Sequence, residues 1–211
     1  MARNVRPKDA VMKKHSVRDE NLTMVYSASG RATNPNLEAA PPKNVFLVGL
    51  RGSGKSTIAR LAAENLGKTF VDTDARVVEK AGRPIAEIVA EQGWDAFRQI
   101  EHDTLAEICS DSGQIVATGG GIVLREDNRG LLRQNGRTYY LLADLKTLAD
   151  RLEAHPQSDQ RPPLTELAPE EELRQTLNER EPLYYQVIDG ILQASRTPEE
   201  IVEDLKEKLR L

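Results

Sequence analysis

Asn44-Val45-Phe46-Leu47-Val48-Gly49-Leu50-Arg51-Gly52-Ser53-Gly54-Lys55-Ser56-Thr57 is the stretch whose reading decides the fold. Residues 45–48 form a short apolar run, the pattern of a strand buried on both faces. Gly49, Gly54, Lys55 and Ser56 then match G-x-x-x-x-G-K-[ST], and Ile58, Leu61, Ala62 and Leu66 follow at helical spacing. Strand, motif and helix in that order predict a phosphate-binding loop rather than an ordinary glycine-rich turn. Glycines let the backbone wrap phosphate oxygens, and N–H groups at a helix N-terminus point at the anion. Gly52, Ser53, Gly54 and Thr57 belong to this cradle. Lys55 is expected to reach the β- and γ-phosphates, and the Ser56 hydroxyl to bind Mg²⁺. Lys55 reads as a loop residue that packs little.

Beyond this loop, short apolar runs alternate with helical patterns. Strands are expected at 45–48, 69–72, 114–117, 138–142 and 190–193. Helices are expected near 56–66, 85–91, 95–110, 126–135, 145–153, 169–180 and 198–209. Thr197 and Glu200 have the spacing of a capping box, with Pro198 at the first helical position. This alternation predicts an α/β fold, a parallel sheet with helices on both faces and ligands beyond the carboxyl ends of its strands.

The 211 residues suit one domain with appendages. Residues 1–42 are polar and hold seven Lys or Arg against four Asp or Glu, which reads as a disordered N-terminal extension before a domain spanning 43–211. Its acidic residues argue against a cleaved targeting segment, and it has no apolar core of a secretion signal. With a net charge of −4, no basic surface for nucleic acid stands out. No apolar run reaches membrane-spanning length, and the lone Cys109 suits a reducing cytoplasm and a packing role.

Three further groups point to chemistry. Asp72 and Asp74 end the second strand and, if it continues, face one site: one carboxylate for the Mg²⁺ shell, the other for an acceptor hydroxyl. Solvated strand-end acids are the bland reading. Arg98 and Glu101 are helical neighbours, so Arg98 either pairs at the surface or binds substrate. Gly119, Gly120 and Gly121 form either a turn or a backbone that a small substrate can approach. Between 154 and 168 the alternation breaks into a polar, proline-rich loop carrying Arg161, the natural place for a lid.

Together these motifs resemble shikimate kinase, from Val45 to the C-terminus. The resemblance rests on the phosphate loop, Asp72-x-Asp74, Phe97-Arg98-x-x-Glu101, the glycine triplet, Arg161-Pro162, and Asn178-Glu179-Arg180-x-Pro182-Leu183-Tyr184, in this order. It implies a P-loop NTPase of the nucleoside-monophosphate-kinase type, five parallel strands with a substrate-binding helical region and a lid. It further implies that ATP phosphorylates the 3-hydroxyl of shikimate in aromatic amino acid biosynthesis. Asp74 would contact the ring hydroxyls and help deprotonate the attacking one. Arg98 and Arg180 would clamp the carboxylate, with the Gly120 backbone completing the pocket. Ser56 would bind Mg²⁺ directly and Asp72 through water. Arg161 would close over the phosphates, and Arg196 would lie beside the adenine, with Arg151 a second candidate there. A cytoplasmic monomer is the expectation. A gluconate-type kinase would share the phosphate loop without the Asp72, Asp74, Arg98 and glycine-triplet combination. A nucleotide-binding regulator without catalysis would have no use for Asp74, Arg161 and Arg180.

Overall fold

Strand β3, Asn44–Val48, occupies the middle of a five-stranded, all-parallel sheet in the computed structural model, which describes residues 25–26, 32–33, 43–154 and 168–209. The chain order is β1 (Val25–Tyr26), β2 (Ala32–Thr33), β3, α1 (Lys55–Leu66), β4 (Thr69–Asp72), α2 (Thr73–Ala81) and α3 (Ile85–Ser110). It continues through β5 (Gln114–Ala117), a 3-10 turn (Ile122–Leu124), α4 (Glu126–Asn135), β6 (Gly136–Leu142) and α5 (Leu145–Ala154). Then come α6 (Pro169–Tyr185), β7 (Gly190–Gln193) and α7 (Pro198–Leu209). Two compact units divide the chain, Met1–Ala40 and Pro41–Leu211. In the first, β1 pairs antiparallel with β2; the rest of the expected 1–42 extension lies outside the described residues.

The sheet order is β4-β5-β3-β6-β7. Asn44 pairs with Gln114 on one side and Gly136 on the other, and all residues of β3 and β5 are buried. That double covering explains the unbroken apolar runs. Right-handed crossovers then set the layers. The chain moves one way across the sheet through α1 and the opposite way through α3, α4 and α6, so these helices cover opposite faces. α7 packs on α1 and on β7.

A main core is built on the sheet from residues such as Phe46, Leu47, Ile115 and Leu141. A separate small core, Val77, Ile85, Ile88 and Phe97, joins α2 to α3 and gives the helical region beside the sheet its own support. Gly93 breaks the helical backbone of α3 at φ 81°, between the two helices expected there. The Thr197–Glu200 box is present: Thr197 N–H donates to Glu200 at 2.9 Å, and Glu200 N–H to Thr197 Oγ1 at 3.3 Å. Cys109 packs in the main core, and burial pushes its thiol up to about 11.

Three expectations change. The second strand spans 69–72 as expected but does not continue to Asp74: the Asp72 carboxylate accepts from the N–H groups of Asp74 and Ala75 and so starts α2. The sixth helix does not end at Arg180 but runs through Pro182 to Tyr185, where burial of Tyr184 outweighs the proline signal. Lys55 is not a loosely packed loop residue. It opens α1 with 9% of its surface exposed.

Candidate active site

Parallel strands bring the loops after β3, β4 and β5 to one sheet edge. The first is the phosphate loop. Gly49, Gly52 and Gly54 have φ of 147°, 79° and 94°. A β-carbon at Gly49 would lie 2.9 Å from the Leu141 carbonyl oxygen, so space as well as backbone angle demands glycine there. Gly54 caps α1 without a side-chain bond, which leaves the helix N-terminus turned to the loop. Lys55 Nζ folds back onto it, donating to the Leu50 carbonyl at 2.7 Å and to Ser53 Oγ at 3.3 Å.

Arg151 braces the same loop from α5. Its guanidinium donates to the Ser53 carbonyl at 3.2 Å and to the Ala194 carbonyl, just past β7, at 2.7 Å. The side chain entertained for adenine is therefore bonded to backbone here. Arg196 instead is half-exposed and lies 3.9 Å from Asp204. A cleft of about 440 Å³ runs beside α1, bordered by Ser56, Thr57, Arg60 and Pro198, the last two residues beyond Arg196.

Ser56 Oγ donates to Asp72 Oδ2 at 2.6 Å. Asp72 Oδ1 meanwhile accepts from Asp74 N–H at 2.9 Å and Ala75 N–H at 3.2 Å. A hydroxyl and a carboxylate beside a phosphate cradle are the hard oxygen donors that Mg²⁺ accepts alongside water and substrate phosphates. No cluster of three or more His, Cys, Asp or Glu suited to a metal exists among the described residues. These few donors thus fit a metal that is shared with phosphates.

Thr73, fully buried, accepts from Gly119 N–H at 2.8 Å, which fastens the first turn of α2, with Asp74 in it, to the glycine triplet. Across the triplet stand the two arginines. A β-carbon at Gly121 would fall on the Arg98 guanidinium, and one at Gly120 would lie 3.7 Å from Arg180 Nη1. Arg98 does pair with Glu101, at 2.6 Å, but in the interior: Glu101 has no exposed surface. The Arg98 guanidinium also lies 5.5 Å from the Trp94 ring centre and 5.1 Å from that of Phe97. Arg180 is buried, and both arginines line a cleft of about 370 Å³ together with Trp94, Leu124 and Thr176. Two cations at one concave site suit an acceptor with a carboxylate.

Tyr184, one helical turn past Arg180, donates to the Gly120 carbonyl at 2.6 Å and stacks on Tyr140 of β6 with ring centres 5.0 Å apart. Burial first, then the nearby Glu181, pushes the Tyr140 phenol well above its usual range. The structure therefore gathers Ser56, Asp72, Asp74, Arg98, Gly120 and Arg180 around the predicted loop. Arg161 lies outside the described residues, as does the lid expected over 154–168 except for its two end residues. Thr73 and Tyr184 were not singled out from sequence. Thr73 sits between the two aspartates and Tyr184 closes the Asn178–Tyr184 motif, so position alone marked them.

Comparisons with known proteins bear on this site. A family model described as shikimate kinase matches residues 51–210. Shikimate kinase 2 of Enterobacter sp. (strain 638) is 45% identical over 167 residues, 79% of this chain and 95% of that protein. The shikimate kinase of Nitratidesulfovibrio vulgaris is 45% identical over 161 residues, 76% of this chain and 92% of that protein. Among solved structures, shikimate kinase from Acinetobacter baumannii in complex with shikimate has a TM-score of 0.73 at 33% identity, covering 80% of this chain and 93% of that one.

Proposed function

The chain belongs to the shikimate kinase family, and from that premise we infer how its own residues divide the work. It is an ATP-dependent kinase that phosphorylates shikimate in aromatic amino acid biosynthesis. In this reading the acceptor oxygen is the 3-hydroxyl, and the products are shikimate 3-phosphate and ADP.

The observation that carries the reading is the meeting of Arg98 and Arg180, 82 positions apart (98 to 180), at one cleft beside the glycine triplet. Their guanidinium groups hold the substrate carboxylate, and the Gly120 backbone completes the pocket. Asp74 binds the ring hydroxyls and takes the proton of the attacking one as its oxygen bonds to the γ-phosphorus. The loop over Gly52, Ser53, Gly54 and Thr57 cradles the phosphates. Lys55 leaves the Leu50 carbonyl and turns to the phosphate charge. Ser56, directly, and Asp72, through water, would hold Mg²⁺, and the ion would supply positive charge to offset that of the transferring group. Arg161 closes over the phosphates, and Arg196 lies beside the adenine. Positioning and charge neutralisation then carry the catalysis.

The same reading takes the enzyme as a cytoplasmic monomer, with residues 1–42 outside the catalytic unit and no nucleic-acid partner. No helix among the described residues is long and apolar enough to cross a membrane. ADP release measured with shikimate, with gluconate and without acceptor tests the assignment. Release that depends on shikimate alone is expected. Equal release with gluconate, or release indifferent to acceptor, overturns the two-arginine reading.

A further inference from the structure

We propose that Asp72 is a positioning residue for Asp74, holding the acceptor side of the site through the N-cap of α2 while its other oxygen faces the metal side. This rests on the proposed contact between Asp74 and shikimate. The two oxygens of Asp72 do different work: Oδ2 receives the Ser56 hydroxyl at 2.6 Å, and Oδ1 receives the N–H of Asp74 itself at 2.9 Å and of Ala75 at 3.2 Å. The second set fixes the backbone from which the Asp74 side chain departs. β4 ends at Asp72 with extended geometry, φ −116° and ψ 121°, and the chain turns helical at once. A capping oxygen at residue 72 is what makes that abrupt change favourable, because it satisfies N–H groups that have no partner within the helix.

Thr73 pins the same turn through a different bond, accepting the Gly119 N–H at 2.8 Å. Thr73 thus fixes where the turn sits, and Asp72 fixes how its first residues are oriented. One carboxylate thereby links the Ser56 end of the site to the residue that meets the acceptor. The dependence of shikimate binding on residue 72 should persist when neither Mg²⁺ nor nucleotide is present. A purely metal-holding aspartate would show no such dependence.

Substitutions separate the cap from the charge. Asp72→Asn and Asp72→Ser keep a capping oxygen and lose the charge. Asp72→Glu keeps the charge on a stem too long for the cap, and Asp72→Ala loses both. Shikimate is titrated into each protein without Mg²⁺ or nucleotide, by calorimetry or by the fluorescence of Trp94, the one tryptophan, which lines the acceptor cleft. Asn and Ser variants are expected within about twofold of the wild-type Kd, and Glu and Ala variants about fivefold weaker, which is about 1 kcal/mol. Should Asp72→Ala fail to fold, the comparison of Asn with Glu decides the matter. Asp74→Ala is the reference and is expected to weaken binding at least as much. If it does not, the Asp74 reading itself fails and the positioning role falls with it. If Asp74→Ala weakens binding but the four Asp72 variants bind alike, Asp74 keeps its role and the positioning role of Asp72 is overturned.

Discussion

Arg98 Nη1 lies 2.6 Å from Glu101 Oε2, and the Glu101 side chain has no exposed surface. A guanidinium held by a buried carboxylate on one side keeps its remaining donors aimed in a fixed direction. Arg98→Ala is expected to lower kcat/KM for shikimate by about 2–5 kcal/mol, with most of the loss in KM because the carboxylate sits away from the reacting hydroxyl. Arg98→Lys should not restore function, since a point charge cannot reproduce paired hydrogen bonds. Equal use of shikimate by wild type and Arg98→Ala would show that the carboxylate is bound elsewhere.

Asp74→Asn keeps the shape and one acceptor but takes no proton. Its kcat is expected to fall about 10²–10⁴-fold. Steady-state kinetics check this, and an effect confined to KM would reduce Asp74 to a substrate contact.

Lys55→Ala removes a cation at the migrating charge, and kcat is expected to fall by about 10²–10³-fold. The residue is also buried and bonds the Leu50 carbonyl. A loss of about 1 kcal/mol then lowers Tm by about 2–4 °C. Thermal melting beside turnover separates the two effects. Near-normal turnover removes the phosphate loop from the mechanism.

How much of this was legible beforehand varies by residue. The loop and β3 could be read because motif and periodicity are local in sequence. The Arg98–Arg180 clamp could be read only through the resemblance, since nothing local links residues in α3 and α6. The turn at Asp72 was missed because Val71-Asp72-Thr73-Asp74 satisfies strand alternation and N-capping equally well. The Thr73 hydroxyl also receives the Gly119 N–H, a contact across 46 positions that no local pattern shows. Arg151 was considered for the adenine through the resemblance; its role as a brace depends on two carbonyls that no pattern reveals.

Tyr184→Phe removes one hydroxyl and keeps the stack on Tyr140. The Gly120 carbonyl then loses its 2.6 Å donor. KM for shikimate is expected to rise several-fold, about 1 kcal/mol, with KM for ATP unchanged. A parallel rise in both constants would mark Tyr184 as general support for the fold.

A chain beginning at Pro42 is expected to fold and keep kinase activity, because the sheet begins at Asn44. Circular dichroism and ADP release check this together. Loss of folding would show that the first 42 residues stabilise the catalytic unit.

Asn44 meets its strand partners only at Gln114 and Gly136, 70 and 92 positions later. At about 5–20 residues per second, a ribosome needs roughly 4–14 s after making Asn44 to deliver the first of them. Until the first of them arrives this central, buried strand has no partner of its own sheet to pair with, and such non-local pairing is also slow to form. The nascent chain therefore carries Val45, Phe46, Leu47 and Val48 as an adhesive segment. Lys43 before it and Arg51 after it are then the nearest solubilising groups until β5 arrives.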